Sequence, residues 1–205
     1  MKAIFSISIF LLFFIMSCKK PDLELGIVNG LVTDRTTNAG IPDATVYLLA
    51  HEPDGSIFGG GGGPSFEIAN TTSDASGNFK FNFDYDSKYA YTCAAVKDLY
   101  FDYEDEFPVD EQVKEGVSVE VTLQPKAWLQ IHFFNEYPSL PSDHFAINGF
   151  VTDEFFGDII DTLITYIVIG NFMNVIHYGL EADLSNIDDT IYCPAFDTTY
   201  YEIIY

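Results

Sequence analysis

The sequence predicts an all-β chain, with an antiparallel β-sandwich followed by a second, smaller β-sandwich. Phe79, Phe81 and Phe83 alternate with polar residues, which is the pattern of a strand with one buried face. The run 117–123 alternates in the same way, with valines and a leucine opposite serine, glutamate and threonine. No window of useful length has the 3.6-residue apolar period of a helix.

The strands of the first sandwich are predicted from β-branched and aromatic runs with turn residues between them. Residues 66–73 and 78–83 are joined by a four-residue turn, in which Asp74 caps the turn and Gly77 accepts a positive φ. The remaining predicted strands are 28–33, 44–49, 89–96 and 117–123.

Three blocks in the first half carry a resemblance to a known family. They read GLVTD at 30–34, IPDATVYL at 41–48 and TSDASGNFKF at 72–81. Their order and spacing resemble the carboxypeptidase regulatory-like domain, which implies a transthyretin-like β-sandwich over residues 25–125. A glycine-rich insert at 59–63 departs from the family pattern.

The resemblance does not imply an enzyme, because in metallocarboxypeptidases this module accompanies a separate zinc domain. None of the four histidines has a glutamate three residues later, so we see no catalytic zinc pattern. We therefore predict no catalytic residues.

The second half begins after Pro125 and again contains strand-like runs. These lie at 128–134, 162–170, 174–181 and 190–205, with Asn, Asp, Pro and Gly breaks between them. They predict a second, smaller β-sandwich over 126–205, for which the sequence suggests no family.

The charge balance excludes one class of partner. The chain has 31 acidic and 9 basic residues, a formal net charge of −22. Such a surface repels the phosphate backbone, so nucleic acid is not an expected partner.

The first 17 residues predict an export signal. Lys2 precedes an apolar run over 3–16, which is too short for a membrane-spanning helix. Ser17 directly precedes Cys18, and this junction resembles the lipobox of bacterial lipoproteins, in which the cysteine is lipidated and becomes the mature N-terminus. The alternative is a plain signal peptide or an uncleaved anchor.

Lipidation of Cys18 implies a membrane partner and a cell-envelope location at the outer membrane, with residues 18–24 as a tether. Acidic residues soon after the cysteine resemble the surface-export signal of Bacteroidetes-type lipoproteins. That resemblance favours the cell surface, while the periplasmic face stays open as the alternative.

Two groups of side chains, one acidic and one aromatic, are candidates for binding sites. The acidic residues Asp102, Glu104, Asp105 and Glu106 have the hard oxygen ligands that calcium prefers, although a solvated loop explains them equally. Aromatic rings on loops can stack on sugars or partner proteins. The candidates of this kind are Tyr100, Phe101 and Tyr103, with core packing as the alternative.

Two further cysteines, Cys93 and Cys193, can form a disulfide in an exported chain, the alternative being two buried free thiols.

The sequence as a whole predicts a non-catalytic envelope lipoprotein whose sandwiches act as structural, spacer or binding units. The alternative is a glycan- or calcium-binding surface lipoprotein of a nutrient-uptake or adhesion system. An envelope protein or a glycan is the expected partner.

Overall fold

The structure is a computed structural model, and it describes residues 24–52, 64–102, 106–109, 111–136, 139–180 and 187–205. Within these ranges the chain forms fourteen strands and one 3₁₀ turn, Glu111–Lys114. No helix in the described ranges is long and apolar enough to cross a membrane.

Seven strands form the first sandwich. They are β1 (Glu24–Asp34), β2 (Thr45–His51), β3 (Ser65–Thr72), β4 (Asn78–Tyr85), β5 (Ala90–Val96), β6 (Phe107–Pro108) and β7 (Val117–Leu123). One sheet has the order β4-β1-β7 and the other β3-β2-β5-β6. Among the described residues all pairs of this sandwich are antiparallel except β1 with β7, which run parallel.

Seven more strands form the second sandwich. They are β8 (Lys126–Phe134), β9 (His144–Gly149), β10 (Asp153–Phe156), β11 (Asp161–Ile169), β12 (Phe172–Leu180), β13 (Ile187–Cys193) and β14 (Thr198–Ile204). Its sheets have the orders β11-β8-β14 and β10-β9-β12-β13. In the part of this sandwich that the structure describes, a single pair, β8 with β14, is again parallel.

The two sandwiches have the same topology. Adding seven to each strand number of the first reproduces both sheet orders and every pairing direction of the second. The second half of the chain is therefore a structural repeat of the first, which its sequence did not predict.

The predicted all-β fold and its sandwich architecture are confirmed. Phe79, Phe81 and Phe83 on β4 all face the first core, each at most 6% exposed. A separate core fills the second sandwich, where Phe133 and Phe145 are fully buried. The pairs β1 with β7 and β8 with β14 are parallel, a detail that the sequence did not predict.

Cys93 and Cys193, for which the sequence left a disulfide and two buried free thiols as alternatives, are not bonded to each other. Both thiols are free, and each is completely buried in a different core, Cys93 in the first sandwich and Cys193 in the second. Burial raises the pKa of Cys93 to about 12 and also raises the pKa of Cys193. The structure therefore has the alternative arrangement, two buried and unreactive thiols.

A histidine links all three strands of one sheet in the second sandwich. His132 lies on the central strand β8, with Nε2 2.7 Å from Asp161 Oδ1 on β11 and Nδ1 2.9 Å from Glu202 Oε1 on β14. Hydrogen bonds to Asp161 and then to Glu202 raise the pKa of His132 above its ordinary value. The protonated ring donates to both carboxylates, so it ties the three strands together.

We expect His132 to make the stability of the chain depend on pH. Because its pKa is raised on folding, its contribution is complete below the unfolded value of about 6.5 and is lost as the pH rises through the folded pKa. Urea midpoints measured between about pH 5.5 and 8 should therefore fall with pH, and His132→Gln should flatten this dependence. Asp161→Asn removes the carboxylate that contributes most to the raised pKa of His132, so it should partly flatten the dependence of the urea midpoint on pH. An unchanged slope in both variants would contradict the role of this histidine.

Candidate binding site at the junction of the two sandwiches

The linker between the sandwiches is hydrogen-bonded on both sides. Only Gln124 and Pro125 lie between the end of β7 and the start of β8. Towards the first sandwich, the Gln124 carbonyl accepts from Phe101 N–H at 2.9 Å, and Lys126 N–H donates to the Leu99 carbonyl at 2.9 Å. A short strap, residues 97–102, thus pairs with the linker along its length.

Towards the second sandwich, two further backbone bonds hold the same linker. The Pro125 carbonyl accepts from Gly170 N–H at 2.8 Å, and the Lys126 carbonyl accepts from Phe196 N–H at 2.9 Å. A Cβ at Gly170 would lie 2.7 Å from Ala195 Cα, so glycine permits this close approach. Backbone hydrogen bonds therefore join the linker to both sandwiches.

Two bulky residues at the junction adopt the left-handed backbone region. Leu99 has φ 70° and Phe196 has φ 64°, a conformation that costs a non-glycine residue roughly 1–2 kcal/mol. The Leu99 carbonyl accepts from Lys126 N–H, and the Phe196 N–H donates to the Lys126 carbonyl. The unfavourable backbone conformation of these two residues therefore accompanies the hydrogen bonds that hold the linker.

A buried carboxylate joins the strap to the end of β1. Asp34 is 5% exposed and accepts hydrogen bonds from Thr36, from Thr37 N–H and from the Tyr100 hydroxyl, the last at 3.1 Å. Burial raises the pKa of this carboxyl, but the hydrogen bonds outweigh it and hold the pKa below its usual value. The Tyr100 ring packs edge-on against Phe196 of the second sandwich, with 5.3 Å between centroids.

Beside the linker lies a cleft of about 480 Å³ that has walls from both sandwiches. We call this the junction cleft. The first sandwich contributes Arg35, Phe101 and Gln124, and the second contributes Phe150 and Ile167. Its volume is within the range of small-molecule sites, which often lie at domain interfaces.

The structure places the predicted site residues in different surroundings. Tyr100 is half-buried in the junction and packs against the first core, and Phe101, also half-buried, lines the junction cleft. Asp102 also lines the cleft, but Glu106 binds His51 Nε2 at 2.9 Å and the Thr92 hydroxyl at 2.9 Å. In the described part of the chain, no three His, Cys, Asp or Glu side chains are placed to hold a metal ion.

The other predictions fall on residues that the structure does not describe. Cys18, Glu104, Asp105 and Tyr103 lie outside the described residues, as does the glycine-rich run 59–63.

Sequence reasoning named Tyr100, Phe101 and Asp102 at the junction but missed Arg35, Gln124 and Asp34. Arg35 is the only arginine in an acidic chain, and this feature of the sequence could have indicated a functional residue. Gln124 had no signal, because its place depends on contacts that form only when both sandwiches are present. Asp34 and Tyr100 are 66 residues apart in sequence, so their hydrogen bond could not be anticipated.

Comparisons with known proteins give structural neighbours but no family. No family model matches the chain, and no curated protein matches it, so the resemblance to the carboxypeptidase regulatory-like domain stays a prediction. Among solved structures, the minor pilin GBS52 of Streptococcus agalactiae aligns at 12% identity and a TM-score of 0.40, over 87% of this chain and 94% of the pilin. A streptococcal ancillary pilin aligns at 12% identity and a TM-score of 0.39, over 89% of this chain and 63% of that one.

The Bacillus anthracis TIE protein aligns at 14% identity and a TM-score of 0.40, over 88% of this chain. This chain spans about a third of that protein's length, 34%. At such scores the neighbours say nothing about what this chain binds or does.

Proposed function

We propose that this chain is a non-catalytic structural unit of a bacterial cell envelope, in which two sandwiches form one rigid spacer. The observation that carries this proposal is the linker with backbone hydrogen bonds to both sandwiches. Domains within one chain usually move relative to each other unless something prevents it. Here two connecting residues and four flanking backbone bonds oppose such motion.

The proposed anchor is the lipidated Cys18. β1 begins at Glu24, close behind this cysteine in the sequence, so the tether between membrane and first sandwich is short. Two or three acyl chains give stable anchoring, whereas a single chain holds only marginally. A short tether and a rigid pair of sandwiches suit the presentation of a surface to an envelope protein or a glycan.

Tyr100→Ala should loosen the junction, because it removes both the hydrogen bond to Asp34 and the ring contact with Phe196. The measurement is the distance distribution between spin labels on cysteines introduced by Lys80→Cys and Thr190→Cys, one exposed position in each sandwich. Cys93 and Cys193 are buried and should stay unlabelled, and Cys18→Ala in every variant removes the third native thiol. We expect one narrow distribution in the parent and a broad one in Tyr100→Ala.

The matched control is Tyr200→Ala, since Tyr200 is 57% exposed on β14 and takes no part in the junction. It should leave the distribution narrow. A broad distribution in the parent protein would overturn the rigid spacer.

The anchor has a separate test. Growth of the source cells with an alkyne-tagged fatty acid should label the full chain, and Cys18→Ala should abolish the label because acylation needs the thiol. Cys93→Ala, which removes a buried thiol, should keep it. Equal labelling of the Cys18→Ala variant would refute lipidation at this residue.

A further inference from the structure

The junction cleft holds the only guanidinium group of the chain. Arg35 is a single arginine among 31 acidic residues. The backbone N–H of Arg35 donates to the Leu123 carbonyl at 2.9 Å, and its guanidinium donates to Thr122 Oγ1 at 3.3 Å. The first bond fixes the backbone of Arg35 beside β7, and the second places its guanidinium on the first-sandwich wall. A guanidinium recognises carboxylates with two parallel hydrogen bonds.

A second donor lies on the same wall. Gln124 lines the cleft, and its buried Nε2 has no hydrogen-bond partner among the residues that the structure describes. Its backbone is fixed through the bond from Phe101 N–H, so the side chain starts from a defined position. A buried donor without an acceptor is unfavourable, and an acceptor on a bound molecule would relieve it.

The opposite wall is apolar and comes from the second sandwich. Ile167 is 55% exposed and Phe150 is 44% exposed, although both are large hydrophobic side chains. Phe101 completes the apolar lining from the strap. Exposed apolar residues that converge on a cleft with a few polar donors are typical of sites for small organic molecules.

We propose that the junction cleft binds a small monocarboxylate ligand with an apolar body. The carboxylate lies against Arg35 and Gln124, and the apolar body lies between Phe101 and Ile167. Asp102 also lines the cleft, and its negative charge disfavours ligands with a second negative charge. This site is independent of the anchor and of the spacer role.

The test uses phenylacetate as the probe and benzylamine as its cationic counterpart, with the ¹⁵N-labelled full chain. Phenylacetate should shift the side-chain amide signals of Gln124, and benzylamine should not. Arg35→Gln should weaken phenylacetate binding about tenfold, the loss expected for one charge-assisted hydrogen-bonding group. Asp102→Asn should strengthen it, because a repelling carboxylate is removed.

Lys80→Gln is the control for charge, since it removes one positive charge from an exposed position on β4 that does not line the cleft. It should leave the phenylacetate Kd within about twofold. If Arg35→Gln disturbs the fold, Ile167→Gln decides, because this exposed position tolerates a polar residue while the apolar wall is lost. Equal binding of both probes, an unshifted Gln124 amide, or a Kd insensitive to the cleft variants would overturn the proposal.

Discussion

Phe133→Ala should lower the free energy of unfolding of the second sandwich by about 3–5 kcal/mol. Phe133 is fully buried, and its ring centroid lies 4.4 Å from that of Phe155 and 5.9 Å from that of Phe145. Removal of the ring leaves a cavity between two aromatic neighbours that only partly collapse. Urea unfolding followed by the fluorescence of Trp128, the only tryptophan, reports on this sandwich.

The neighbouring residue gives the matched control. Phe134 is on the same strand but points outward and is 36% exposed, so Phe134→Ala should cost less than about 1 kcal/mol. Similar losses for the two variants would show that the inner and outer faces of β8 are wrongly assigned.

Gly77→Ala should lower the stability of the first sandwich by roughly 2–5 kcal/mol, the sum of a backbone cost and a steric cost. Gly77 has φ +86°, and a Cβ there would lie 2.6 Å from the Val32 carbonyl oxygen and 2.9 Å from the Ile41 nitrogen. Both are backbone atoms, so neither can move aside cheaply. Differential scanning calorimetry should show the transition of the first sandwich at a lower temperature.

Gly157→Ala separates the two costs. Gly157 also has a positive φ, +101°, but a Cβ there would meet nothing within 4 Å. Its substitution should therefore cost only the backbone term, roughly 1–2 kcal/mol. If Gly77→Ala were no worse than Gly157→Ala, the close packing of the turn against β1 would be contradicted.

The sequence predicted the features that depend on neighbouring residues. The alternation around Phe81 identified the buried face of β4, because strand periodicity alone decides it. The turn after β3 was also predicted: Asp74 Oδ1 accepts from the N–H groups of Ser76 and Asn78, and Gly77 has the positive φ that was expected.

Features that depend on distant pairing were not predictable from one sequence. The parallel partner of β1 lies far along the chain, and no local pattern specifies which strand fills the space beside it. The repeat was hidden for a related reason, since the same topology can be built from different apolar residues as long as their alternation is kept. The hydrogen bond of Tyr100 to Asp34 was not predictable, because it exists only once the strap has folded against β1.

The parallel pairs β1 with β7 and β8 with β14 have a mechanical consequence. In each sandwich these are the first and the last strand in chain order. Tension on the flanking segments pulls the two paired strands in opposite directions along their length. All the hydrogen bonds of the ladder then bear the load in shear at once, whereas a hairpin pulled at its open end breaks one rung after another. Each sandwich therefore has a force-resistant clamp between its ends, and the two clamps act in series.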